Sequence, residues 1–308
     1  MLTLSLDIGG TKIAAGLIDP DGALVHTVRR PTPAGGSSEE VWAAVAAIVA
    51  DALHAADGLN GPVAAVGIAS AGPIDLHSGT VSPVNIGSWR GFPLRERVAA
   101  MIPGAPGVPV RLGGDGVCMA LGEHWRGAGR KARYLLGMVV STGVGGGLVF
   151  DGVPYTGRSG NAGHVGHVVV EPDGRPCACG GRGCVETVAS GPSLVRWARA
   201  NGWSAPSAAG ANDLAAAATA GNPVAARAFR RGATALAAMI ASVAAVCDLD
   251  LVVIGGGVAG SGSLLFDPLR AALPEFAGLN FLAGLRVVPA ELGGEAGLIG
   301  AARLASFG

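Results

Sequence analysis

The stretch LTLSLDIGGTKIAAGLI, residues 2–18, decides the fold of this chain. Its two apolar runs, Leu2–Ile8 and Lys12–Ile18, have the length and composition of strands. Between them, the glycines of Asp7-Ile8-Gly9-Gly10-Thr11-Lys12 permit a tight turn whose backbone N–H groups a ligand can approach closely. The stretch therefore predicts a strand hairpin closed by a glycine-rich turn.

The chain continues in an α/β order. A third strand is predicted at residues 23–28, after the turn Asp19-Pro20-Asp21-Gly22. A helix follows at residues 39–56, where apolar side chains recur at helical spacing, and Val63–Ser70 is a further apolar strand. The first part of the sequence therefore predicts strand, strand, strand, helix, strand.

A similar order begins again near the middle of the chain. The predicted elements are strands at 134–141, 145–150, 165–171 and 251–254, a helix at 192–200, and a long helix opened by Asn222-Pro223. Two halves that each open with a hairpin and a glycine-rich turn predict a duplicated α/β unit with a ligand cleft between the halves. The boundary is predicted near residues 113–115, between a strand at 108–112 and a helix at 117–125.

Composition narrows the class of protein. The chain has 308 residues, enough for two domains, and 22 basic and 22 acidic side chains give a formal net charge of zero. This balance argues against nucleic acid as a partner, which needs a basic surface. The amino end lacks a basic region before Asp7, and the charge-free stretch 232–247 is shorter than the roughly 20 residues of a membrane span. We expect a cytoplasmic protein without a membrane partner, and a buried helix at 232–247.

Three glycine-rich loops at strand ends indicate a nucleotide site. They are residues 7–12, residues 141–147 (STGVGGG), and Gly255-Gly256-Gly257. Backbone N–H groups in such loops bind phosphate oxygens, Thr11 adds a hydroxyl donor, and Asp7 is suited to hold magnesium through water. For residues 7–12 alone, a hairpin whose glycines serve only geometry is an equal alternative. None of the loops matches the P-loop or the dinucleotide-binding pattern, so both of those folds are disfavoured.

Cysteine spacing predicts a metal site. Cys177, Cys179 and Cys184 form a C-x-C-x-x-x-x-C pattern, and His167 precedes it by ten positions. One imidazole and three thiolates are a typical tetrahedral zinc set, and four protein ligands leave no open position for a substrate, so the zinc would be structural. Reduced, unligated thiols are the alternative. The other cysteines, Cys118 and Cys247, fall on predicted helices and are expected in the core.

These motifs together resemble the ROK family of bacterial repressors, open-reading-frame proteins and sugar kinases. The match covers residues 7–12, Asn85, Asp115, residues 142–147, the G-x-x-G-H motif at 163–167, the C-x-C-G-x-x-G-C-x-E motif at 177–186, and residues 255–257. The resemblance implies a duplicated actin/hexokinase-like (ribonuclease H-like) α/β fold with an interdomain cleft. It also implies ATP with Mg²⁺ and structural Zn²⁺ as cofactors, phosphate transfer to a sugar hydroxyl, and a homodimer.

The resemblance further divides the chain and assigns the nucleotide residues. A small domain would comprise residues 1–114 plus about 293–308, and a larger domain with the zinc loop would comprise residues 115–292. The residues implied in ATP binding are Asp7, Gly9, Gly10, Thr11, Lys12, Thr142, Gly143, Gly145, Gly255, Gly256 and Gly257.

Asp115 is the implied catalytic base. A sugar hydroxyl is a poor nucleophile until a base takes its proton. In the alternative interpretation Asp115 only caps the helix that follows it. The family usually has Asn directly before this Asp, where it binds a sugar hydroxyl, whereas this chain has Gly114, so one sugar contact is in doubt. The residues implied in sugar binding are Asn85, Asp115, His164, His167 and Glu186.

His164 bears on which sugar is bound. Glucokinase-like members of the family carry Glu at this position, whereas bacterial N-acetylmannosamine kinases are similar to this chain in having A-G-H-x-G-H. Histidine can donate a hydrogen bond to an acetamido carbonyl, which carboxylate cannot. We therefore expect an N-acetylmannosamine kinase that forms the 6-phosphate, with a glucokinase or other hexose kinase as the alternative.

Two other classes compete with the kinase interpretation. A sugar-responsive repressor would need an N-terminal helix-turn-helix, for which the start of the phosphate loop at Asp7 leaves no room. A non-catalytic sugar-binding module is suggested by Gly114, but Asp115 and all three glycine loops are retained. Polyphosphate as an alternative phosphate donor remains open.

Overall fold

A computed structural model describes residues 1–104 and 107–307 of the chain. The chain divides into two compact units. The first unit comprises Met1–Lys131, Gly147–Gly163 and Gly294–Gly308, and the second comprises Ala132–Gly146 and His164–Gly293.

Both units contain strands and helices. The strands are β1 (Leu2–Ile8), β2 (Lys12–Ile18), β3 (Leu24–Pro31), β4 (Val63–Ser70), β5 (Ile74–Asp75), β6 (Thr80–Val81), β7 (Val110–Gly114), β8 (Tyr134–Val140), β9 (Val144–Phe150), β10 (Val153–Tyr155), β11 (Leu251–Gly255) and β12 (Arg286–Pro289). The helices are α1 (Ser38–Gly58), α2 (Leu94–Ala99), α3 (Asp115–Arg126), α4 (Glu186–Ala189), α5 (Gly191–Ala200), α6 (Ala211–Thr219), α7 (Pro223–Cys247), α8 (Ser263–Phe276) and α9 (Ala296–Ala305).

The first unit is built on a five-stranded sheet in the order β3-β2-β1-β4-β7. The pairs β1–β2 and β2–β3 are antiparallel, whereas β1, β4 and β7 run parallel. The hairpin predicted from residues 2–18 is confirmed with the predicted strand bounds. Since β1 and β7 are parallel, their carboxyl ends, and the residues that follow them, lie at the same edge of this sheet.

Helix α1 covers one face of this sheet. Val41, Val45, Ile48 and Ala52 recur every three to four residues, so they share one face of the helix, and all are buried. Ser37 begins the helix with a capping box: its hydroxyl accepts from the N–H of Glu40, whose carboxylate accepts from the N–H of Ser37.

Helices α3 and α9 pack backbone to backbone in the first unit. A Cβ atom on Gly122 would collide with the Ala296 carbonyl of α9, and one on Gly300 would collide with the Cys118 carbonyl of α3. Only glycines permit this approach. The packing places α3 in the first unit, whereas the sequence predicted that the larger domain begins at residue 115. Residues 147–163 also group with the first unit.

The second sheet has the order β10-β9-β8-β11-β12. β8, β11 and β12 are parallel, and β9–β10 is an antiparallel hairpin. In the second unit, α7 packs against α8 and against the shorter helices α4, α5 and α6. The predicted start of α7 is confirmed, because the Asn222 side chain accepts from the N–H groups of Val224 and Ala225 at 3.0 Å.

The strand predicted at 165–171 is wrong. Residues Val165–His167 form one turn of 3-10 helix, and the following backbone pairs within its own loop. The N–H of Val170 donates to the Gly183 carbonyl, and the N–H of Val185 donates to the Val168 carbonyl. The apolar residues therefore belong to a compact loop that spans the cysteine motif.

Helices α1 and α7 are long and apolar enough to cross a membrane by length and composition. Both, however, bury one face within their own unit: α1 lies on β2 and β3, and α7 on α8. The expected burial of residues 232–247 is confirmed for that face, which includes Leu236 and Ile240, while Val246 on the other face is 85% exposed.

Candidate active site

The first glycine-rich turn is held closed by its neighbours in the first unit. The N–H of Gly9 donates to the Lys12 carbonyl at 3.0 Å, and the Thr32 hydroxyl donates to the Gly9 carbonyl at 2.7 Å. Asn85 lies directly over Gly10, where an added Cβ atom would come within 2.6 Å of the Asn85 side chain. The structure thus brings the exposed Asn85 side chain to the loop that the sequence assigned to phosphate.

Asp7, the last polar residue of β1, lies close to Asp115. Burial and the negative charge of Asp115 raise the pKa of Asp7 to about 6, and the charge of Lys12 acts in the opposite direction. The start of α9 approaches from another side, since a Cβ atom on Gly297 would lie 2.8 Å from an Asp7 carboxylate oxygen. Two carboxylates in mutual electrostatic contact at one sheet edge are a suitable site for a divalent cation.

Asp115 is the first residue of α3 and is exposed. Its carboxylate accepts from the N–H of Gly116 at 2.8 Å, at the positive end of the helix. The capping alternative is wrong in detail, because the N-cap residue is Gly114, which has no side chain to accept a hydrogen bond. Gly114 itself faces open space: an added Cβ atom would meet no atom within 4 Å.

The second glycine-rich turn, in the second unit, is anchored by Glu186. The Glu186 carboxylate accepts from the N–H of Val144 at 2.9 Å and lies against Gly143. The Ser141 N–H donates to the Gly143 carbonyl, and the Gly191 N–H donates to the Ser141 carbonyl at 2.7 Å. One Glu186 oxygen is therefore committed to the turn, which leaves the other for a ligand.

A cavity of about 790 Å³ opens beside this turn, entirely within the second unit. Thr142 and Gly257 line it, whereas Gly143, Gly145, Gly255 and Gly256, which the sequence also assigned to ATP, do not. Gly256 has φ of +97° beneath the Val140 carbonyl, so its role is conformational. The remaining lining residues are Ser141, Gly191, Pro192, Val195, Arg196, Arg199, Ala208, Ala209, Gly210, Ala211, Asn212, Asp213 and Val258.

Most of this lining was missed by the sequence analysis. It comes from the first turns of α5 and from the loop before α6, which carry no short motif. The signals available were Ser190-Gly191-Pro192, typical of a helix start, and the acid and amide of Asn212-Asp213 at the start of a second helix. Neither signal distinguishes a ligand site from an ordinary helix end.

The four predicted metal ligands come together. One ligand atom from each of His167, Cys177, Cys179 and Cys184 lies within 4.8 Å of all the others. The Cys179–Cys184 sulfur separation is 3.7 Å, and Nδ1 of His167 lies 3.8 Å from the Cys177 sulfur. Tetrahedral zinc with Zn–S bonds of about 2.3 Å places its ligand sulfurs about 3.8 Å apart, so the arrangement fits zinc.

The chemistry of these thiols also fits a cation. Burial, together with Cys177 and Cys179, raises the pKa of Cys184 to about 12, whereas the N–H of Gly181 lowers the pKa of the exposed Cys179. Three thiolates at these separations repel one another unless a positive ion lies among them.

The compact loop that spans the cysteine motif, called the metal loop below, positions two of the predicted sugar ligands. Glu186 follows Cys184 by two residues and begins α4. His164 lies one turn before His167, and the N–H of His167 donates to the His164 carbonyl at 3.1 Å. The rings of His164 and His167 are 6.3 Å apart. His164 is exposed, and His167 is turned by Nδ1 toward the cysteines, which leaves its Nε2 for a second contact.

Comparison with known proteins identifies the family. A family model described as "ROK family" matches residues 3–307, and the chain belongs to this family. Its relatives include a glucokinase of Streptomyces coelicolor, 35% identical over 99% of this chain and 97% of the relative. They also include an N-acetylmannosamine kinase of Yersinia pseudotuberculosis, 37% identical over 83% of this chain and 82% of the relative.

A solved structure confirms the fold. The ROK glucokinase from Streptomyces griseus, crystallised with glucose and AMPPNP, superimposes with a TM-score of 0.84 at 37% identity, and the match covers 100% of both chains. The predicted actin/hexokinase-like α/β fold is thus confirmed.

Proposed function

We propose that this ROK protein is an ATP-dependent sugar kinase that phosphorylates the 6-hydroxyl of a hexose or N-acetylhexosamine. One observation carries the proposal: the exposed Asp115 lies in electrostatic contact with Asp7, beside the Gly9-Gly10 turn over which Asn85 is placed. A base, a cation ligand and a phosphate loop are thus grouped at one sheet edge. The relatives with glucokinase and N-acetylmannosamine kinase names support the same chemistry.

In the proposed reaction, backbone N–H groups of the glycine-rich turns bind the phosphates. Gly9 to Lys12 in the first unit and Thr142 and Gly143 in the second unit would supply these N–H groups, and the nucleoside would occupy the cavity lined by Thr142 and Gly257. Mg²⁺, when bound, would neutralise charge on the transferred phosphate, with Asp7 holding it directly or through water.

Asp115 would take the proton from the sugar hydroxyl as that oxygen attacks the terminal phosphorus of ATP, and the bond from this phosphorus to the bridging oxygen would break to release ADP. Its exposed position on α3 lets the carboxylate reach a ligand, and the Gly116 N–H fixes one of its oxygens. Phosphoryl transfer otherwise depends on positioning and on charge neutralisation, so a single base suffices.

Asn85, His164, His167 and Glu186 would hold the sugar. Zinc, when bound by His167, Cys177, Cys179 and Cys184, would be structural and would fix the loop that carries His164 and Glu186. The Glu186 carboxylate would then face a ring hydroxyl with one oxygen and hold the Val144 N–H with the other.

N-acetylmannosamine is the sugar that we propose. His164 can donate a hydrogen bond to an acetamido carbonyl. Glucose is the second candidate, favoured by the glucokinase relatives that match nearly the whole chain.

A coupled assay of ADP release across a sugar panel tests this proposal. With ATP as donor, we expect turnover with N-acetylmannosamine to exceed that with glucose, N-acetylglucosamine and mannose. With polyphosphate as donor, which releases no ADP, the sugar phosphate formed is measured directly. A strong preference for glucose would replace the acetamido sugar, and no turnover with any sugar would refute the kinase.

We also propose a cytoplasmic homodimer. Leu279 and Phe281 are 51% and 55% exposed and lie two residues apart, an apolar surface that a second copy would cover. Light scattering of the purified chain should give twice the monomer mass; a monomer at micromolar concentration would contradict this.

A further inference from the structure

A second cavity in the second unit has a composition that the proposed kinase reaction does not use. Its volume is about 490 Å³, within the range of small-molecule sites, and none of its lining residues lines the nucleotide cavity. The lining residues are Val170, Glu171, Trp197, Arg227, Arg230, Arg231, Thr234, Ala235, Ala238 and Phe276.

Three guanidinium groups converge on this cavity from α7. Arg227, Arg230 and Arg231 are spaced by three and four residues, so they share one face of the helix. Within the part of the chain that the structure describes, the guanidinium groups of Arg227 and Arg230 make no hydrogen bond or ion pair. Since the whole chain has no net charge, this concentration of positive charge is local.

The cavity already holds one intramolecular anion. The Glu171 carboxylate accepts from Arg231 at 2.6 Å, and both side chains are partly buried. Three positive charges therefore face a single negative one. The pKa of Arg196 is lowered, first by burial and then by the positive charges of Arg175 and Arg231. This side of the unit therefore carries excess positive charge.

The lining of this cavity also includes two aromatic side chains. Trp197 of α5 is partly buried, and Phe276 at the end of α8 is 44% exposed. Planar apolar walls beside a group of arginines match a ligand with an anionic end and a flat or apolar body. Arginine forks bind phosphate oxygens in pairs, and a phosphate dianion would balance the two uncompensated charges.

We infer that this cavity binds a phosphate-bearing small molecule, separately from the nucleotide and sugar. The phosphate would lie on Arg227 and Arg230 and compete with Glu171 for Arg231. Glu171 belongs to the metal loop, where its N–H and that of Val170 donate to the Gly183 carbonyl next to Cys184. Ligand binding would therefore act on the loop that carries Glu186.

Calorimetric titration of inorganic phosphate into the full chain, saturated with Mg²⁺–AMPPNP to occupy the nucleotide site, tests the inference. We expect the double variant R227Q/R230Q to bind phosphate at least about tenfold more weakly, because each lost charged hydrogen bond costs about that factor. E171Q should bind more tightly than the unmodified protein, because the competing carboxylate is gone. R286Q removes an exposed arginine elsewhere in the same unit and should change nothing.

A second probe, phenyl phosphate, should bind about tenfold more tightly than inorganic phosphate, because its ring reaches Trp197 and Phe276. Equal phosphate affinities for the unmodified protein and R227Q/R230Q, or weaker binding by E171Q, would overturn the inference. Equal affinities for the two probes would overturn its aromatic part. Sugar kinase turnover of R227Q/R230Q without added phosphate should match that of the unmodified protein, so failure of the proposed function is detected independently.

Discussion

The two glycine-rich turns occupy equivalent places in their sheets but are stabilised by different means. The turn at Gly9 and Gly10 is closed by Thr32 and covered by Asn85, with the ionisable Asp7 at its base. The turn at Gly143 is held by the Glu186 carboxylate, and it borders the 790 Å³ cavity of the second unit. The same hairpin and glycine-rich turn therefore occur in both sheets, whereas the side chains around the two turns differ.

The largest expected effect concerns the first turn's carboxylates. Asp115→Ala should lower turnover by about 10²–10⁴, the usual contribution of a general base, while sugar affinity measured by calorimetry stays within a few-fold. Asp115→Asn should behave alike, because the amide cannot accept the proton. Turnover close to that of the unmodified enzyme would remove Asp115 from the mechanism.

The next effect concerns the second turn through its metal loop. We expect about one zinc per chain by elemental analysis, and Cys184→Ser should lose it. Because Glu186 then loses its fixed position, KM for the sugar should rise by about tenfold to a hundredfold. Cys247→Ser, outside the cluster on α7, is the matched control and should retain both metal and KM. Full zinc content in Cys184→Ser would contradict the ligand assignment.

Alanine at one glycine of each turn compares them directly. Gly10→Ala should displace Asn85 and raise KM for the sugar about tenfold, because its Cβ atom has no room. Gly145→Ala adds a Cβ atom that meets no protein atom, and Gly145 does not line the cavity beside the second turn, so the sugar KM and the ATP KM should both stay constant. Steady-state kinetics with each substrate varied provide the test; equal effects on the sugar KM would mean that Asn85 does not contact the sugar.

The smallest effect is a pH dependence at Asp7. Its pKa of about 6 means that protonation below pH 6 should raise the KM for Mg²⁺–ATP, and Asp7→Asn should abolish this dependence at the cost of weaker binding throughout. Because the folded pKa lies above the ordinary value of 3.8, the carboxyl favours folding below pH 4, and that contribution is lost as the pH rises through 6.

Asp7→Asn should accordingly stabilise the protein at pH 7.5 by up to about 3 kcal/mol, measured by denaturant unfolding. The same variant at pH 4 should gain little. A gain that does not depend on pH would assign the effect to packing instead of charge.

Local patterns predicted the turns, the hairpin strands and the clustering of His167 with the three cysteines, because each depends on residues close together in sequence. Leu2–Ile8 and Lys12–Ile18 were predicted to the residue, and His167 joins the three cysteines as expected. Residues 165–171 had the composition of a strand, but their hydrogen-bond partners lie in the cysteine loop, which a pattern of apolar residues does not reveal.

Long-range packing was the part that could not be predicted. Gly122 and Gly300 form no periodic pattern in the sequence, yet they allow α3 and α9 to pack backbone to backbone. Because of this packing, α3 belongs to the first unit, and the boundary between the units differs from the predicted residue 115. The 790 Å³ cavity, where we propose that the nucleoside binds, likewise combines α5, the loop before α6, and Gly257, and none of these is marked by a motif that specifies a ligand.

The contact between α9 and β1 also affects the order in which the two units fold during synthesis. Gly297 packs on Asp7, so the first unit requires residues from both extremes of the described chain, whereas the second unit uses only residues 132–146 and 164–293. The ribosome synthesises the amino end first, so the strands of the first unit cannot complete their packing until α9 has been synthesised. We therefore expect the second unit to complete its core earlier.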